Sequence, residues 1–152
     1  DPGYQGDRDR CNAIGSAVVV AAAGNSGSAT ERQYPAAEGS PGSLAIAATN
    51  SAKGIAGFSN RGSWIDLAAP GVGITSTIPG GGYGTWSGTS MSSPLVAGVA
   101  ALLFQQNPDW KPEDVTKRLR ETSVPLCGST LRQAHAQNAV LNIKHDNPAL
   151  CF

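Results

Sequence analysis

The apolar positions of this chain follow two rhythms. Short unbroken runs rich in Val, Ile and Ala alternate with longer segments of helical spacing. "SAVVVAAAG" over 16–24 is a β-branched run closed by glycine, and "SLAIAAT" over 43–49 is a second. Runs this short, with no polar alternation, are those of strands buried on both faces, as in a parallel sheet. "SWIDLAAPG" (63–71) and "GITSTI" (73–78) are shorter strand candidates bounded by Gly and Pro. Downstream, every residue from Leu95 to Phe104 is apolar or glycine, which describes a helix with no polar face. Such a helix belongs in a protein interior. "KPEDVTKRLRETS" (111–123) is the opposite case, with Pro112 at a first helical position, acids in the first turn and Arg118 and Arg120 near the end. That is an amphipathic surface helix. A short last helix is expected within 133–142 and an irregular tail over 144–152. Strands alternating with helices predict an α/β fold, with a mostly parallel sheet and a central buried helix.

Composition narrows the function classes. The 152 residues carry a formal net charge of zero and only 14% are charged, so no basic surface for nucleic acid or an anionic membrane is expected. No apolar run reaches the roughly 18 residues of a membrane span. Between Lys53 and Asp109 the only charged residues are Arg61 and Asp66, so this middle is interior or lines a site. There are no internal repeats and no linker, and 1–152 reads as part of one domain. The opening "DPGYQGDRDR" has no initiator Met and no basic-then-apolar leader, which reads as a processed or excised piece. Cys11, Cys127 and Cys151 are too far apart for a CxxC motif. They are either thiols, or a secreted protein's bridge in which Cys127 and Cys151 pin the tail and leave Cys11 for a partner.

The candidate chemistry lies where "GTS" meets the apolar helix. A serine there is ordinarily a cap, a structural role. It can also be a nucleophile. The first N–H groups of a helix lack intrahelical partners and carry partial positive charge, so an oxyanion formed beside Ser90 could accept from the Ser90 N–H. Pro94, without an N–H, cannot bond the Ser90 carbonyl. The motif is not the G-x-S-x-G nucleophile elbow, since its fifth position is Ser92. Asn25, just after the first strand, would point an amide from the carboxyl end of the sheet, where α/β proteins place their sites. It is a candidate second oxyanion donor; it also suits a turn that tolerates left-handed φ.

These residues resemble the subtilisin-like serine proteases. "GTSMSSPLVAGVAALL" looks like the family's nucleophile motif and "VVVAAAGNSG" like its oxyanion-asparagine motif. "YPAAEGSPGSLAIAATN", "FSNRGSWIDLAAPG" and "GTWSGTS" resemble its intervening segments in the same order, and Leu95 replaces a histidine common at that position. The likeness runs from about Ala17 to Val140. It implies a subtilisin-like three-layer sandwich, present here only in part, in which Ser90 is the nucleophile and Asn25 its oxyanion donor. Ala22, Ala23 and Gly24 would wall the pocket for the side chain preceding the cut. Gln33 would lie near that pocket's base, making it polar and occupied, and Thr89 would belong to the substrate-binding set.

A serine hydroxyl needs a general base held by a carboxylate. The family's D-[ST]-G and H-G-T-H stretches, both upstream of the asparagine motif, do not occur in this sequence. His135 and His145 are the two histidines, and neither is expected to be catalytic. The resemblance therefore implies a secreted serine endopeptidase completed by an N-terminal part carrying Asp and His, with this chain inactive alone. It needs no cofactor, although the family often binds structural calcium, for which 34–38 is the place to look. A protease-like binding module that has lost its catalytic groups is the alternative. An unrelated α/β esterase is weaker, given the Ser–Asn pairing and the absence of the elbow.

Overall fold

The structure, a computed structural model, describes residues 17–144. The expectations for the opening segment, Cys11, His145, Cys151 and the tail lie outside the described residues. Five strands form the main sheet: β1 (Val19–Ala22), β2 (Ser43–Thr49), β3 (Leu67–Pro70), β6 (Val124–Pro125) and β7 (Arg132–Gln133), in the order β1-β2-β3-β7-β6. The first three pairings are parallel, with Ala22 opposite Ile46 and Ile46 opposite Leu67; only β6 runs antiparallel, against β7. β4 (Ile74–Thr77) and β5 (Tyr83–Trp86) form a separate antiparallel hairpin. Its turn carries Gly80, Gly81 and Gly82 at positive φ. The sequence reading foresaw β4 but not β5, whose "YGTW" has too little apolar character to mark a strand.

Among the described residues three α-helices accompany the sheet: α1 (Thr89–Gln106), α2 (Pro112–Glu121) and α3 (Ala136–Leu141). α1 packs on β1, β2 and β3, and α2 and α3 pack on α1. Leu44, Ile46, Leu67 and Ala69 face this layer and meet Val96, Leu103, Val115 and Leu119 in the larger core. The alternate positions of the same strands, Ala47 and Ala68, point the other way, where they join Ala23, Ile65 and Leu126 in a smaller cluster. That second face is built of alanine. Short side chains let loops lie directly on the sheet, so among the described residues the third layer is made of loops rather than helices.

Asp66 ties the strands to α2. Its Oδ2 accepts from the Ala45 N–H at 2.8 Å, and its Oδ1 from Arg120 at 2.9 Å. Arg120 also donates to the Ser43 carbonyl at 3.2 Å. The pair is part-exposed, so its contribution is about 1 kcal/mol at most. At the end of α2, the Glu121 carboxyl is held below its ordinary range, first by the hydrogen bond from Lys144 and further by nearby Lys117 and Arg118, while desolvation opposes the shift. A lowered carboxylate stabilises above its unfolded pKa and loses that contribution as pH falls through the folded one. Glu121 lies at the exposed surface, where solvent screens its ion pairs, so it adds little. Cys127 is disulfide-bonded, and both other cysteines lie outside the described residues.

α1 is buried on one side only, through Thr89, Ser92, Val96, Ala100 and Leu103. On the other side Pro94, Leu95, Ala97, Gly98, Ala101 and Leu102 form an exposed apolar stripe. Leu95 is 43% and Leu102 46% exposed. β1 is an edge strand whose apolar residues are only half-buried.

Candidate active site

The site forms where the carboxyl end of β1 meets the start of α1. Gly88 is the N-cap residue of α1 and has no side chain with which to cap it. The acceptor comes from the sheet instead: Asn25 Oδ1 takes the Thr89 N–H at 2.9 Å and the Thr89 hydroxyl at 3.0 Å. The Thr89 hydroxyl oxygen in turn accepts from the Gly24 N–H at 3.1 Å. Thr89 is wholly buried while Asn25 is exposed, so these part-buried bonds clamp two segments 64 residues apart. Serving as a cap fixes which end of the Asn25 amide points into the helix. Its Nδ2 is left facing Gly88, where an added Cβ would stand 3.5 Å away.

Ser90 is the second residue of α1 and is exposed. It is thus not the cap, and its N–H is engaged by no backbone acceptor among the described residues. Pro94 lies inside the helix. The turn that carries Ser90 is held from below. Ser92, wholly buried, donates its hydroxyl to the Ala69 and Pro70 carbonyls at 3.0 and 3.2 Å, and the Gly88 N–H bonds the Gly71 carbonyl at 2.8 Å. A Cβ on Gly71 would collide with the Ser92 hydroxyl and stand 2.9 Å from the Gly88 carbonyl. Only glycine lets β3 end this close to the helix start.

The other predicted residues are placed differently from one another. Ala22 closes β1 and is half-buried, as is Gly24. Ala23 is wholly buried in the alanine-lined cluster. Gly24 has φ +102°, and a Cβ there would run into the Gln33 side chain and stand 2.6 Å from Asn60 Nδ2. Gln33 is exposed, lies across Gly24 and donates to Glu31 at 3.4 Å. His135 heads α3, where its Nδ1 accepts from the Asn138 N–H at 3.3 Å. It acts as a helix cap. Asn60, which the sequence reading passed over inside "FSNRG", sits wholly buried beneath the Asn25 loop. An Asn followed by Arg-Gly reads as an ordinary turn, and nothing in its neighbours marks it as interior.

The site holds an exposed serine hydroxyl, an uncommitted N–H at a helix start and an amide fixed by a cap, and the last two are the kind of donors that suit a tetrahedral oxyanion. The family model of the subtilases, Peptidase_S8, matches residues 3–144. The chain belongs to the subtilase family. It is 47% identical over 121 residues to a subtilisin of Bacillus pumilus, a match that takes in 77% of this chain and 43% of that protein. Among solved structures, this subtilase chain superimposes on a protease of Pseudoalteromonas arctica PAMC 21717 with a TM-score of 0.75 and 35% identity, over 82% of this chain and 42% of that one. It matches the self-cleaved protease domain of PatA with a TM-score of 0.76 and 32% identity, over 88% of this chain and 52% of that one. The fold is therefore the α/β, mostly parallel fold of the subtilases, and the chain spans under half the length of the curated subtilisin it matches.

Proposed function

We propose that this chain is the nucleophile-bearing part of a subtilisin-like serine endopeptidase whose Asp and His are supplied by an N-terminal segment or companion chain. The observation that carries the reading is the Asn25–Thr89–Ser90 constellation. It places an exposed hydroxyl on the first turn of a helix whose cap is an amide with its Nδ2 unbonded among the described residues. In the reaction, the base on the companion part takes the Ser90 proton as Oγ attacks the peptide carbonyl. The carbonyl oxygen becomes an oxyanion facing the Ser90 N–H and Asn25 Nδ2. The tetrahedral intermediate collapses by breaking the C–N bond, and the base returns the proton to the departing amine. Water, activated by the same base, then hydrolyses the acyl–Ser90 ester. The peptide would run past the half-buried Ala22 and Gly24 and the buried Thr89, toward Gln33.

The exposed stripe on α1 supports a companion part. A mid-helix glycine costs about 1 kcal/mol relative to alanine. Among the described residues a Cβ at Gly98 would meet nothing within 4 Å, so none of them requires it. Close packing by the companion part supplies the reason. The protease domain of PatA, described as self-cleaved, offers a likeness for a domain in two pieces. Gly98→Ala is therefore expected to lower the melting temperature of the assembled protein, although an exposed helix would gain from the change. A higher melting temperature would mean that this face is open to water. The disulfide-bonded Cys127 supports secretion, and among the described residues no helix is long and apolar enough to cross a membrane.

The reading needs no cofactor. A structural calcium ion is part of it only at the turn of 34–38. Glu38 is the sole carboxylate there and the other donors would be backbone carbonyls, a set suited to a weak oxygen site.

The decisive experiment applies a fluorophosphonate probe to the purified protein and follows it by denaturing electrophoresis and mass spectrometry. Two species are expected, with the label on Ser90. A single species of this chain's mass would sink the companion part. Two unlabelled species would favour a protease-like binding module.

A further inference from the structure

We propose that Asn60 is the positioning residue of the oxyanion loop, acting on catalysis through Asn25. The inference rests on the endopeptidase reading above and adds to it a residue that touches neither substrate nor nucleophile.

The loop that follows β1 has no regular structure from Asn25 to Gln33, so its backbone N–H and C=O groups have no ladder to satisfy them. Buried groups of this kind need partners. Asn60 provides four. Its Oδ1 accepts from the Ser26 and Ser28 N–H groups at 3.2 and 3.1 Å, and its Nδ2 donates to the Ala23 and Glu31 carbonyls at 3.0 and 3.3 Å. A side-chain amide has two acceptor lone pairs and two N–H donors. Every one is used, and the residue is 0% exposed.

The backbone around Asn60 adds three rungs. Its own N–H bonds the Gly24 carbonyl at 3.0 Å, the Gly27 N–H bonds the Phe58 carbonyl at 2.7 Å, and the Arg61 N–H bonds the Ser28 carbonyl at 3.0 Å. The amide grips Ala23 and Ser26, on either side of Asn25, while the Thr89 clamp takes the Asn25 side chain. Asn25 Nδ2 is thus aimed by two constraints, one from the helix and one from Asn60.

Neither aspartate nor serine fits this role. Aspartate offers the acceptors but would face two carbonyls with a carboxylate oxygen. Serine is too short to reach both edges of the loop. Leaving buried backbone groups unpaired releases the loop, and an oxyanion donor is effective only when fixed beforehand.

The test uses the assembled enzyme and a chromogenic peptide substrate, with Asn60→Asp and Asn60→Ser each made alone and together with Asn25→Ala. Each single variant is expected to lower kcat about 10- to 100-fold, within the 10²–10³ ceiling set by loss of the donor itself, with a smaller change in KM. In the Asn25→Ala background the same substitutions should cost no more than about threefold further, because the group they position is gone. An equal loss in both backgrounds, or no loss in kcat, overturns the proposal.

Amide hydrogen exchange on the unmutated enzyme gives a readout independent of turnover. The Ser26 and Ser28 N–H groups should be protected, and exchange at open-loop rates overturns the clamp even if neither variant folds. Protection in a protein that hydrolyses no peptide would leave the clamp standing and overturn the endopeptidase reading instead.

Discussion

Replacing Ser90 by alanine is expected to lower kcat of the assembled enzyme by about 10⁶, a magnitude carried over from subtilisin's own nucleophile. On the proposed mechanism both covalent steps run through the Ser90 oxygen, so its removal would close the acyl-enzyme route and leave only substrate binding and oxyanion stabilisation. Stability should hardly move. Ser90 is exposed, and its hydroxyl makes no hydrogen bond among the described residues, so the change falls within the ±0.5 kcal/mol or so of surface substitutions. The pairing of lost turnover with an unchanged melting temperature separates a chemical role from a structural one. Kinetics on a peptide substrate and calorimetry of the same preparation decide it; retained turnover would remove Ser90 from the mechanism.

The second large effect concerns Asn25, where one side chain is given two tasks. Asn25→Ala removes the donor and the cap together. A kcat loss of 10²–10³ is expected, as for subtilisin's oxyanion asparagine, together with a stability loss of about 1 kcal/mol for an uncapped helix. Asn25→Asp separates the tasks. The carboxylate still accepts the Thr89 N–H and hydroxyl, now at a helix N-terminus that favours negative charge. The carboxylate donates nothing to the oxyanion, which keeps only the Ser90 N–H, and a like charge stands near it. Asn25→Asp should therefore match or exceed the alanine variant in kcat loss while keeping the melting temperature. Full activity in Asn25→Asp would show that the Nδ2 group plays no part in the reaction.

Much of this arrangement is readable from the chain because local chemistry and fold agree there. β2 spans the predicted Ser43–Thr49, since an unbroken apolar run has few options other than a doubly buried strand. Pro112 and the acidic first turn likewise mark the start of α2. The burial of α1 is legible only by halves: uniform apolarity announces two covered faces, and the described residues cover one. The clamp residues are hidden for a different reason. Thr89 and Asn60 exert their effect through hydrogen bonds to segments 64 and 29 to 37 residues away, and neither polar residue is marked in the sequence as lying in a dry interior.

The bonds that aim Asn25 come from Thr89 and Asn60, so the oxyanion half of the site is wired entirely within this chain. On the proposed reading, joining the two parts is a docking problem: one preformed surface has to bring an imidazole to a serine already in place. On that same reading, proteolytic output would report whether the two parts have met.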